Sequence, residues 1–132
     1  MPILVLDFDG VMHSYSSGWQ GVDWCPDPPV PGLEAFLAHA MEHFQVQVHS
    51  SRSAVKIGRE AMRAWCQQWL REDIARELTF PRDKPPAFVT LDDRALTFTG
   101  QWPAVETLLA FQPWTRNTLP PNELPQEDTP HA

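Results

Sequence analysis

The chain has 132 residues, a formal net charge of -7 and a hydrophobic fraction of 42%. That length suits one domain with one core, and the composition is ordinary for a globular protein. The acid excess argues against coating long duplex nucleic acid, which relies on many Lys and Arg contacts to phosphate, and no apolar run approaches membrane-spanning length.

The start, Met1-Pro2-Ile3, lacks the basic segment of a signal peptide. Cys25 and Cys66 have neither a disulfide framework nor a metal-ligand spacing. A reducing cytoplasm is the expected location, with no membrane partner.

Ile3 to Leu6 is an unbroken apolar run and predicts a buried strand. The stretch 10–31 is rich in Gly, Ser, Pro and Asp, with Tyr15, Trp19 and Trp24 interspersed; it predicts a long functional loop or flap. Leu33, Phe36, Leu37, Ala40, Met41 and Phe44 follow helical spacing after Pro31-Gly32. Phe44, Val46 and Val48 alternate as a strand that ends at His49-Ser50-Ser51-Arg52. Ser53 is a candidate N-cap for a helix whose stripe is Met62, Trp65, Cys66 and Trp69, with Ile74 beyond. Leu78 to Phe80 suggests a short strand, and 82–86 a turn. Ala87 to Leu91 predicts an apolar strand ending at Asp92-Asp93-Arg94. Pro103 opens a last helix through Phe111, and from 112 onward Pro and polar residues predict an extended tail. The domain is therefore 1–111 and the tail 112–132. Alternating strand and helix periods imply an α/β fold with a parallel sheet and right-handed crossovers.

Three strand ends carry polar groups: Asp7 and Asp9, then Ser50 and Arg52, then Asp92 and Asp93. In a parallel sheet these ends lie on one edge, where such sheets bind ligands. Continued strand geometry would put Asp7 and Asp9 on one side, where two carboxylates repel unless a cation or proton lies between them. Carboxylates, a hydroxyl and Lys84 would converge there, and an oxygen-rich set suits Mg²⁺ rather than zinc.

The order Asp7-Phe8-Asp9-Gly10-Val11, then Ser50, Lys84 and Asp92-Asp93, closely resembles the haloacid dehalogenase superfamily of phosphotransferases over roughly the first hundred residues. The resemblance implies a Rossmann-like three-layer sandwich around a central parallel sheet. It implies Asp7 as nucleophile, Asp9 as general acid/base, Ser50 as a donor to the transferring phosphoryl group and Lys84 as its cationic anchor. Asp92 would bind Mg²⁺, Asp93 would bind it or support a ligand, and Asp7 and Asp9 complete the candidate metal set. Arg52 would touch substrate or pair with an acid. Neither the 10–31 loop nor the segment between Arg52 and Lys84 holds a cap domain, so the chain resembles a capless member. An open site favours a large substrate, such as a protein or a nucleic-acid end, or a second subunit covering it in a homodimer; a nucleotide or nucleic-acid-end phosphate is one candidate.

The expected activity is Mg²⁺-dependent phosphomonoester hydrolysis through an aspartyl phosphate. The alternatives are a non-catalytic or regulatory binding module of the same fold, and phosphoryl transfer to an acceptor other than water. Among the remaining candidates, Arg94 is expected in a structural ion pair and His13 is an incidental loop histidine. Trp19 and Trp24 anchor the loop more readily than they stack on a substrate ring, and Trp65 and Trp69 belong to the core.

Overall fold

The computed structural model describes residues 1–115. The expected tail lies mostly outside the described residues. The elements are β1 (Ile3–Leu6), α1 (Leu33–Ala40), β2 (Gln45–Val48), a 3₁₀ turn (Ser51–Ala54), α2 (Lys56–Trp69), α3 (Glu72–Glu77), β3 (Val89–Leu91) and α4 (Val105–Leu109).

The three strands form a parallel sheet in the order β2-β1-β3. Leu4 pairs with Val46 on one side and Val89 on the other, and Leu6 with Val48 and Leu91. From β1 the chain winds outward through α1 to β2, then returns through α2 and α3 to β3 on the opposite side. The winding reverses at β1, so the carboxyl end of β1 against β3 is the switch point of this α/β fold. The main chain closes there, with the Asp7 amide donating to the Leu91 carbonyl at 2.9 Å.

The sheet is unequally covered. Leu4, Val5 and Leu6 are buried, as are Val46 and Val48, and all of these but Val5 pack with Phe8, Leu33, Leu37, Met62, Trp65, Cys66, Leu70 and Leu78. β3 is an edge strand whose Val89 and Leu91 are both 42% exposed. It is shorter than the strand expected over Ala87–Leu91, and it is not a buried one. The expected strand at Leu78–Phe80 reduces to one parallel bridge, Gln47 to Thr79, although Leu78 and Phe80 are buried.

Two local expectations are corrected. Ser53 does not cap α2, which follows the extended residue Val55 without a side-chain cap. Instead, the Ser50 hydroxyl accepts from the Arg52 amide and the Ser53 hydroxyl accepts from the Ser50 amide, both at 3.0 Å, closing a capping box on the 3₁₀ turn. Trp69 is 42% exposed rather than core. The 3.6-residue period carries the buried stripe from Met62 through Cys66 to Leu70, which leaves Trp69 at its margin.

The 10–31 loop has its own hydrogen bonding. The Val30 amide donates to the Met12 carbonyl, and the Ser14 amide to the Pro28 carbonyl, both at 2.9 Å. Ser17 donates to both Asp27 carboxylate oxygens, and the Trp65 indole donates to the Asp27 carbonyl. Met12, His13, Tyr15 and Asp27 are buried, so this flap is pinned to α2. No helix among the described residues is long and apolar enough to cross a membrane.

Candidate active site

A cavity of about 440 Å³ opens at the carboxyl edge of the sheet. Asp7, Asp9, Ser50, Lys84, Asp92 and Asp93 all line it, together with Tyr15, His49 and Arg94. The switch point of the sheet thus gathers residues from three separate strand ends.

Asp7, Asp92 and Asp93 form the centre. Each offers a carboxylate oxygen, and these atoms lie within 4.8 Å of one another. Burial, the Asp92 charge and a hydrogen bond that protonated Asp7 donates to Asp93 push the Asp7 carboxyl up to about 9. Burial also raises Asp93, against the Asp7 hydrogen bond and the Arg94 charge that favour its ionised form. The Oδ1 atom of Asp93 is buried and has no hydrogen-bond partner among the described residues. Three carboxylates with an unpaired buried acceptor and no nitrogen or sulfur ligand fit a hard divalent cation such as Mg²⁺ or Ca²⁺. Asp7 follows β1, and Asp92 and Asp93 follow β3, so the parallel pairing of those strands assembles the group.

Asp9, expected in the metal set, is not part of that carboxylate group. β1 ends at Leu6, and the chain turns so that the amides of Val11, Met12 and His13 all donate to the Phe8 carbonyl. Strand alternation therefore stops before Asp9. Its carboxylate instead accepts from Arg52 Nε at 2.9 Å, Arg52 Nη2 at 3.1 Å and His13 Nδ1 at 2.9 Å. Burial would raise Asp9, but the hydrogen bonds from His13 and Arg52, with the Arg52 charge, hold it below the usual carboxylate range.

Arg52 pairs with an acid and does not line the cavity. Its side chain is 0% exposed. Nη1 donates to the carbonyls of Gly21 and Val22 at 2.9 and 2.8 Å, and the guanidinium carbon lies 4.8 Å from the Trp19 ring centroid. One side chain thereby ties the flap to Asp9. The same contact places Trp19 as a loop anchor. Trp24 is exposed, and its indole donates to Gln20.

Ser50 and Lys84 are available to a ligand. The Ser50 hydroxyl donates at 3.4 Å only to the weak acceptor Met62 Sδ. Lys84 makes no hydrogen bond or ion pair among the described residues. Burial pushes the Cys25 thiol up to about 11 and Cys66 up to about 12, so neither is a thiolate at neutral pH.

Two residues near the site, His13 and Arg94, differ from their expected roles. His13 is fully buried and lies nearly parallel to Phe8 at 5.3 Å. Its Nε2 accepts from the Asp27 amide at 3.0 Å, which leaves Nδ1 to carry a proton toward Asp9. Its position four residues beyond Asp9 was the available signal. Arg94 makes no ion pair among the described residues, contrary to expectation; only its place after Asp92-Asp93 marks it. The last described segment also returns to this site, where Trp114 Nε1 donates to the Gly10 carbonyl at 2.7 Å.

Comparison with known proteins gave no match to a family model, a curated protein or a solved structure.

Proposed function

We propose that this chain is a metal-dependent phosphomonoester hydrolase with a core like that of the haloacid dehalogenase superfamily, acting through an aspartyl phosphate on Asp7. The observation that carries the reading is the convergence of Asp7, Asp92 and Asp93 with Ser50 and Lys84 on one cavity at the sheet's switch point. Such a carboxylate centre beside a hydroxyl and an ammonium suits phosphoryl transfer.

In this reading Asp7, Asp92 and Asp93 would hold Mg²⁺, which would offset the negative charge of the carboxylates and the phosphoryl group. Asp7 Oδ attacks phosphorus; the new O–P bond forms as the bond to the leaving oxygen breaks, and that oxygen takes its proton from Asp9 in its acid form, which the second step restores. Lys84 and the Ser50 hydroxyl donate to the non-bridging oxygens and orient the group. In the second step water attacks the phosphorus of the aspartyl phosphate. Asp9 takes the water's proton, inorganic phosphate leaves and the Asp7 carboxylate is restored. His13 and Arg52 orient Asp9 in the ionised form this step needs. Their grip supports the base half of its acid/base assignment more than the acid half.

The test is Mg²⁺-dependent phosphate release from an aryl phosphate by wild type and Asp7→Asn. Activity that requires the cation and falls at least about a thousandfold in the variant is expected, because the variant lacks the attacking carboxylate. Equal rates in the two proteins would remove Asp7 as nucleophile.

A further inference from the structure

We propose that Arg94 binds a second phosphate of the substrate, beside the phosphoryl group that reacts. The inference rests on the phosphatase reading of the same cavity and names the class of molecule it takes: an organic phosphomonoester with another phosphate close by.

Arg94 follows the Asp92-Asp93 pair and lines the cavity with Lys84 and Ser50. Its main-chain amide donates to Asp92 Oδ1 at 2.8 Å, which fixes the backbone of this residue against the acid centre. Its side chain forms no hydrogen bond or ion pair among the described residues, and Nη2 is closed off from solvent with no partner. A desolvated charged donor without an acceptor is costly, and folded proteins rarely keep one without a reason. Arg52 shows the contrast, since its Nε, Nη1 and Nη2 all have acceptors.

The partner is identified by charge and shape. Asp93 and Arg94 are consecutive, and each has one buried orphan atom, an acceptor and a donor respectively. They do not satisfy each other. A cation at the first, and an anion met by a turn of the Arg94 guanidinium that opens Nη2 to the cavity, would satisfy both. A guanidinium fork matches two oxygens of a phosphate. Lys84 and Ser50 already serve the reacting phosphoryl group in the proposed mechanism, which leaves Arg94 for another. At about 440 Å³ the cavity is within the size range of pockets that enclose whole small ligands, larger than one phosphoryl group needs. With the chain at -7, a doubly phosphorylated ligand needs dedicated local cations, and Lys84 and Arg94 are the Lys and Arg of the lining.

The test is calorimetric titration in Mg²⁺ buffer of Asp7→Asn and of Asp7→Asn/Arg94→Gln, both checked for folding by circular dichroism. The probes are adenosine 5'-monophosphate, adenosine 3',5'-bisphosphate and a 5'-phosphorylated dinucleotide. The second phosphate should tighten binding by about tenfold or more in Asp7→Asn, as a charge-assisted contact does, and that advantage should shrink to about twofold with Arg94→Gln. Should the double variant fail to fold, Arg94→Lys replaces it; losing the fork should still erase most of the advantage. A stronger response to the bisphosphate or to the dinucleotide says whether the second phosphate belongs to a small molecule or a nucleic-acid end. Equal binding of all three probes to Asp7→Asn, no binding of any, or parallel weakening of all three by Arg94→Gln would overturn the proposal. Failure of wild type to release phosphate, with the binding preference intact, would instead overturn hydrolysis and leave the anion site standing.

Discussion

Replacing Arg52 by Met tests whether one buried guanidinium holds the flap and Asp9 together. The wild-type side chain is 0% exposed and makes two hydrogen bonds to Asp9 and two to the carbonyls of Gly21 and Val22. Met fills much of the same volume but offers no donor. Asp9, only 12% exposed, would retain His13 alone as a side-chain partner. Breaking a buried pair from one side costs about 3–5 kcal/mol, chiefly because a charge is left unpaired. The two freed carbonyls add to this unless the flap opens to water, so a loss of about 4 kcal/mol is expected. That is a large share of the roughly 5–15 kcal/mol that stabilises a domain. At about 3–4 °C per kcal/mol for this size, the melting temperature should fall by roughly 12–16 °C. Urea unfolding of wild type, Arg52→Met, Asp9→Asn and the double variant would measure the loss and its coupling. The double variant should be less unstable than the sum of the singles by about 2 kcal/mol. A loss below about 1 kcal/mol in Arg52→Met, with additive singles, would refute the clamp.

The acid centre should make metal-free stability depend on pH. Asp7 has a folded pKa raised from 3.8 to about 9, so the folded state holds its proton more tightly than the unfolded state does. Its contribution is full below pH 3.8 and is lost as pH rises toward 9, whereas the lowered Asp9 contributes above the unfolded value and loses this as pH falls through its folded one. Between pH 6 and 8 the melting temperature of metal-free wild type should therefore fall; Asp7→Asn should flatten that slope, and millimolar Mg²⁺ should raise the wild-type value most at pH 8. An unchanged slope in Asp7→Asn would exclude Asp7 as its source. Gly10→Ala should disturb the same centre. Gly10 has φ +84°, and a Cβ there would fall within the Asp93 carboxylate. The backbone strain alone costs about 1–2 kcal/mol, and displacing Asp93 should weaken Mg²⁺ binding about tenfold. Calorimetric Mg²⁺ affinity equal to wild type would show that Asp93 is not a ligand.

The sequence by itself determined β1, β2, the stripe of α2 and the order of polar strand ends, because each is written in local signals. Apolar runs specify Ile3–Leu6, and a 3.6-residue period specifies Met62, Cys66 and the turn between them. Parallel pairing then makes the meeting of Asp7 with Asp92 and Asp93 a consequence of topology. The fate of Asp9 was not legible, since it depends on where β1 stops and on Arg52, 43 residues away. The weak cover over β3 was likewise hidden, since an apolar run looks the same in a central strand and at an edge. Arg52 and Arg94 are the same residue type, each just beyond a polar strand end. Only the tertiary structure decides that one is enclosed by acceptors and the other keeps a buried donor unpaired, because hydrogen-bond satisfaction is a property of neighbours distant in the chain.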